Sequence, residues 1–175
     1  MIAARVKAPA TASADPIQAS PLALQPELLQ AFLRLYGTLW SHGVVDQATK
    51  EIARIRNART IGCPICQAIR FRGAREEGLT EDVVDRIRDG YHASDLSERQ
   101  KLVLRYVDAF LVPPGEIGES LRRELLAHFT PAQLVELTAA LALFMGFSKI
   151  AVALGGLPDS IPVHEQPTPT CPATP

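Results

Sequence analysis

From Thr130 to Gly156 the chain carries one long helix signal, apolar nearly all round from Leu137 to Phe147. Thr130 suits the N-cap and Pro131 the first helical position, while Gly155-Gly156 closes the run beyond about Leu154. Between Leu137 and Phe147 there is almost no polar face, so this helix must be covered on several sides. The remaining sequence therefore has to wrap it. A chain of 175 residues can supply one domain with a real core, but hardly two. Full burial is easiest if a second subunit covers one side. The apolar run is itself well short of the roughly 18 residues of a membrane span, and no membrane association is expected.

The wrapping segments read as helices too. Pro26 opens one with Leu28, Leu29, Phe32, Leu33, Tyr36, Leu39 and Trp40 at helical spacing, ended by Gly43. Asp46 caps a second that runs to about Ile61. In it Ile52, Ile55 and Ala58 form the apolar stripe, and Lys50, Arg54, Arg56 and Arg59 can face solvent or a partner. A third starts at Pro64 and passes Ala68, Ile69, Phe71 and Ala74 to Gly78. Thr80 starts a short one, Ser97 and Gln100 have capping-box spacing ahead of Leu102 to Phe110, and Glu119 to Phe129 forms another. No segment alternates as a strand series would. The expected fold class is all-α, with a mobile arm over 1–20, one helical domain over 21–156 and a disordered Pro-rich tail over 157–175.

Lys plus Arg number 18 against 19 acids, for a net charge of -1, so no field favours nucleic acid or an anionic surface. Three cysteines are too few for a secreted disulfide scaffold, and the N-terminus lacks a signal-peptide core. A cytoplasmic protein is expected.

Two of those cysteines lie in Gly62-Cys63-Pro64-Ile65-Cys66, where a helix begins. Such a pair can close a small disulfide, carry a reactive thiolate or supply half of a metal site. Zinc would need about two more ligands. Cys171 sits in the tail, and His42, His92, His128 and His164 form no paired spacing, so no metal or cofactor is expected. As N-cap, Cys63 faces the positive end of the helix dipole, which favours its thiolate. Arg70, four residues after Cys66, falls on the same helical face and adds fixed charge. Glu51 lies near the stripe of Ile55, Ala58 and Gly62, on a side that can be buried, whereas read alone it would be an exposed helix acid or an ion-pair partner of Arg54 three residues on.

Glu51, with Cys63 twelve positions on and then Cys66, resembles the Glu…Cys-x-x-Cys core of the AhpD-like, carboxymuconolactone decarboxylase superfamily. Ala74, Gly78-Leu79-Thr80-Glu81, Ser97-Glu98-Arg99 and Phe129-Thr130 continue the likeness over about residues 25 to 155. The resemblance implies an all-α fold assembled as a homo-oligomer, a trimer or hexamer, and a dithiol that reduces a hydroperoxide or a partner disulfide. It makes Cys66 peroxidatic and Cys63 resolving, against the dipole argument, which favours Cys63. The family's motif ends in histidine four residues after the second cysteine, where this chain has Arg70. Arginine does not shuttle protons, but a salt bridge to Glu51 would order the pocket and stabilise a thiolate. Two other functions stay open at this point. One is a decarboxylase-like lyase on an anionic lactone held by Arg70 and Arg72, and the other is a non-catalytic oligomer.

Overall fold

The computed structural model describes residues 4–10, 13, 15–155, 157 and 161–171. Eight α-helices follow in order: α1 Pro26–Ser41, α2 Gln47–Ile61, α3 Pro64–Ala68, α4 Arg72–Glu76, α5 Glu81–Arg86, α6 Glu98–Leu111, α7 Glu119–His128 and α8 Pro131–Leu154. The capping signals act as read. Asp46 accepts the Thr49 N–H at 2.7 Å, Ser97 with Gln100 closes a capping box on α6, and Thr130 with Gln133 closes another on α8. Gly155 ends α8 through its N–H to the Ala151 carbonyl, while Gly156 lies outside the described residues.

At the centre lies α2, packed against α8 and α6. Its residues from Thr49 to Ala58 are all buried, including Lys50, Glu51, Arg54, Arg56 and Asn57. The sequence reading leaves Lys50, Arg54 and Arg56 to face solvent or a partner; the structure buries all three. Each is admitted because it finds partners. Lys50 Nζ donates to the Leu39 carbonyl at 2.8 Å and pairs with Glu136 of α8 at 3.2 Å. Arg56 bridges Asp108 at 2.6 Å and Asp89 at 2.9 Å. Around this ionic helix Tyr36, Trp40, Phe71 and Phe144 form an aromatic cluster, with Trp40 and Phe71 centroids 4.7 Å apart.

By length and composition α8 is long and apolar enough to cross a membrane, a property that the shorter run at Leu137 to Phe147 conceals. Its buried residues, among them Leu137, Leu141 and Phe144, belong to the core shared with α2.

Two expectations are corrected. The helix read from Pro64 to Gly78 is broken: after α3 the chain extends as β1, Ile69–Phe71, before α4 resumes. The tail read as disordered supplies the reason. Its residues His164–Gln166 form β2, which pairs in parallel with β1 in the register Ile69↔His164, Arg70↔Glu165 and Phe71↔Gln166. Among the described residues this is the one departure from an all-helical fold. Beyond β2 the strap continues across the domain. Thr168 Oγ1 accepts the Gly73 N–H at 2.8 Å, Glu165 pairs with Arg72 at 3.0 Å, and Ser41 Oγ accepts the Cys171 N–H at 3.4 Å. A Cβ on Gly37 would lie 2.3 Å from the Thr170 carbonyl oxygen, so the strap crosses α1 where a side chain is missing. At the other end the Arg5 N–H and guanidinium satisfy the Leu154 and Ala153 carbonyls at the end of α8. The outer parts of the expected arm and tail, Pro158, Pro172 and Pro175 included, lie outside the described residues.

Candidate active site

Gly62, at φ 76°, ends α2 in the left-handed conformation that glycine takes without cost, and this turns the chain into the cysteine pair. Cys63 is the N-cap of α3, its sulfur accepting the Cys66 N–H at 3.4 Å, and Pro64 takes the first helical position. The two sulfurs lie 2.8 Å apart as free thiols. Cys63 is fully buried. Cys66 opens into a cavity of about 730 Å³ walled by Leu33, Tyr36, Ile65, Phe71, Phe144 and Phe147. Residues 15–18 and the strap from 164 to 170 form its remaining rim.

Arg54 organises the floor. Its Nε and one terminal nitrogen grip both oxygens of Glu51 at 2.7 Å, the bidentate geometry in which arginine binds carboxylates most strongly. The remaining donors take the Cys66 carbonyl at 2.6 Å and the Ile69 carbonyl at 2.7 Å, satisfying the buried C-terminal end of α3. The Phe71 ring covers the guanidinium at 5.0 Å. Arg54 lines the cavity; Glu51 does not, being wholly buried behind it with the Phe71 N–H on the same carboxylate.

Arg70 is placed elsewhere. Because β1 interrupts the helix, Arg70 does not share a face with Cys66. Its guanidinium binds Glu81 at 3.0 Å and the Gln67 and Ile69 carbonyls at 2.6 and 2.8 Å, and it borders a separate cleft with Arg59 and Asp85. The expected salt bridge from Arg70 to Glu51 is absent, its role taken by Arg54. Neither Arg70 nor Arg72 lines the cavity at Cys66. The structure thus gathers Cys63, Cys66 and Glu51, and leaves Arg70 out.

Three further side chains belong to the site. Besides Arg54, Ser148 of α8 points its hydroxyl at the Cys66 sulfur at 3.5 Å, and Asn57 donates to that hydroxyl at 3.1 Å. Ser148 is visible in the sequence only as a hydroxyl just past the apolar run Leu137 to Phe147.

These contacts set the chemistry of the two sulfurs in opposite directions. The Cys63 S–H donated to Cys66 holds the Cys66 thiol down at about 7 against burial, with the Arg54 charge and the Ser148 hydroxyl assisting. The same shared hydrogen bond, together with burial, pushes Cys63 up. The dipole argument for Cys63 as the thiolate fails because that sulfur is sealed from solvent and acts as the donor. Burial likewise pushes the Tyr36 phenol up, which keeps it neutral beside the cavity. Among the described residues no group of three His, Cys, Asp or Glu side chains could hold a metal ion.

This helical fold has counterparts among known proteins. Residues 26–109 match the carboxymuconolactone decarboxylase family. It is similar to the uncharacterized protein Rv2313c of Mycobacterium tuberculosis, 30% identical over 111 residues that make up 63% of this chain and 39% of that protein. The uncharacterized protein YnjA of Escherichia coli is 28% identical over 57% of this chain and 54% of its own length. The chain thus spans well under two thirds of the length of these relatives. Its fold is that of an Agrobacterium tumefaciens protein of unknown function, whose name gives it as a candidate antioxidant defence protein AhpD. The two align with TM-score 0.63 and 21% identity over 80% of this chain and 92% of that one. An uncharacterized peroxidase-related protein from Silicibacter sp. TM1040 aligns with TM-score 0.64 and 18% identity over 77% and 71%.

Proposed function

We propose that this protein is a dithiol oxidoreductase that reduces a hydroperoxide, or a partner's disulfide, through Cys66 and Cys63. One observation carries the reading: the only pair of neighbouring sulfurs among the described residues is polarised, and its acidic member opens into the cavity. The Cys66 thiolate attacks the terminal oxygen of the hydroperoxide. An S–O bond forms as the O–O bond breaks, and the leaving alkoxide takes up a proton. Cys63 then attacks the sulfenic sulfur, water leaves with the Cys63 proton, and a disulfide closes. An external dithiol returns both sulfurs to the reduced state. Arg54 holds the thiolate electrostatically and Glu51 holds Arg54, so Glu51 is a positioning residue in this scheme. The lyase alternative loses its motive because Arg70 and Arg72, its anion holders, lie away from the cavity.

The test is hydroperoxide consumption with a dithiol reductant, wild type against Cys66→Ser. Loss of essentially all turnover is expected, with mass spectrometry finding the 63–66 disulfide only in peroxide-treated wild type. Equal rates in the two proteins would refute the assignment.

The reading includes a homo-oligomer working in a reducing cytoplasm, where a resting dithiol persists. Support comes from the outer face of α8, where Val135, Ala139 and Ala142 are exposed at helical spacing, Val135 at 71%. Light scattering should give a multiple of the 19.0 kDa chain mass, and Ala142→Glu should lower it. A monomeric mass for wild type would count against assembly.

A further inference from the structure

Reduction of a hydroperoxide by a thiolate leaves an alkoxide, a poor leaving group unless a proton reaches it as the O–O bond breaks. The cavity wall offers few groups that could deliver one. Arg54 keeps its proton throughout the working range. Tyr36 is buried and held neutral. Asp15 is committed to its own turn, accepting the Ile17 N–H at 2.8 Å and the Gln18 amide at 3.2 Å. Glu165 is paired with Arg72. From α8 the cavity receives only Phe144, Phe147 and Ser148, none of them titratable near neutrality. One group remains, His164 of the strap, the residue type whose proton exchange falls around neutral pH.

Its placement is built into the fold. The parallel register sets His164 beside Ile69 and Gln166 beside Phe71, and strand alternation puts these four on one side of the ribbon. Both Ile69 and Phe71 line the cavity that holds Cys66. The ring is oriented as well. The Pro162 carbonyl can only accept, so Nδ1–H donates to it at 3.0 Å, which leaves Nε2 as the exchanging edge. The Gln166 side-chain amide nitrogen lies 3.3 Å from that edge, and turning the amide over brings its oxygen there to accept from a protonated Nε2. Nothing comparable fixes the other histidines to the cavity rim.

We propose that His164, carried to the cavity by the strap, is the proton donor for the hydroperoxide reaction at Cys66. The claim rests on the dithiol reading above. In the step itself, the sulfur electron pair forms the S–O bond, the O–O pair departs on the leaving oxygen, and the proton on His164 Nε2 moves to that oxygen to give the alcohol. The Cys63 proton leaves in the water formed as the disulfide closes, and His164 regains its proton when the external dithiol has reduced the disulfide and the Cys66 thiol ionises again. The strap then belongs to the active site rather than trailing from the domain.

The test uses the full chain with His164→Ala. Consumption of an organic hydroperoxide at saturating dithiol should fall about 100-fold at pH 7, the low end of what a positioned acid supplies. Added imidazole should restore a substantial part of the rate, because the truncated side chain leaves room for it. Alkylation of Cys66 as a function of pH should be the same in both proteins. A wild-type rate in His164→Ala would overturn the proposal. So would a loss that imidazole cannot restore, or one accompanied by a shifted Cys66 alkylation profile, since either marks a structural role. Cys66→Ser run alongside separates the two failures. If Cys66→Ser still turns over, the dithiol reading itself falls. If it is dead while His164→Ala is unimpaired, only the role of His164 falls.

Discussion

Replacing Arg54 with alanine is expected to cost about 3–5 kcal/mol of folding stability, the range for removing one partner of a buried ion pair. Glu51 is wholly buried, and both its oxygens are held by Arg54 at 2.7 Å. Without the guanidinium, a carboxylate sits in the centre of the domain with one backbone N–H, from Phe71, for company. The Cys66 and Ile69 carbonyls lose donors at the same time. At roughly 2–4 °C per kcal/mol for a chain of this size, the melting temperature should fall by about 6 to 20 °C. Glu51→Gln combined with Arg54→Met should recover part of the loss, since no charge is then stranded. In whatever fraction of Arg54→Ala stays folded, the Cys66 thiol should titrate higher, because the Arg54 charge is among the causes that hold it down. A melting curve unchanged from wild type would show that water already reaches Glu51.

The same residue shows where sequence reading stops. Glu51, Cys63 and Cys66 were legible because their spacing along two helices is local information, and the caps at Asp46, Ser97 and Thr130 fixed those helices in place. The pairing of Glu51 with Arg54, three residues on, was legible too, but Arg70 was misplaced because the step of four from Cys66 to Arg70 assumes a helix that continues. What breaks it is remote: a pairing with His164–Gln166, and carbonyls taken by a guanidinium from α2. Composition reads the tail as Pro-rich and free, since a three-residue strand shows no periodicity and its partner lies far back in the chain. The inward turn of Lys50 and Arg56 is hidden for a similar reason. A cation on a helix reads as exposed until its partners are known, and Glu136, Asp108 and Asp89 come from distant segments. Ser148 needed the fold, because only packing of α8 on α2 brings its hydroxyl to the sulfur.

The two cysteines should differ sharply in reactivity, and this bears most directly on the chemistry. At pH 7 a thiol held at about 7 is half ionised, whereas an ordinary thiol with pKa of about 8.5 is a few per cent ionised and Cys63 is pushed above its ordinary value. Alkylation of the reduced protein, followed residue by residue with mass spectrometry, should therefore favour Cys66 by at least about tenfold. Its rate should rise with a midpoint near pH 7. Cys63→Ala removes the first cause of that lowering and leaves burial unopposed, so the Cys66 midpoint should move up by a unit or more, on the order of 1.4 kcal/mol. The same polarity dictates how stability follows pH. Cys66 is lowered in the folded state, so between its folded value and the ordinary thiol value the unfolded chain binds more protons and stability rises with pH. Above the ordinary thiol value both cysteines of the unfolded chain lose protons while the folded Cys63 keeps its own, and this contribution reverses. Denaturant midpoints of reduced wild type should climb from pH 7 toward 8.5, and Cys66→Ser should lack that climb. Equal alkylation of the two cysteines across this range would mean that the short sulfur contact does not polarise the pair, and the choice of Cys66 as the attacking sulfur would go with it.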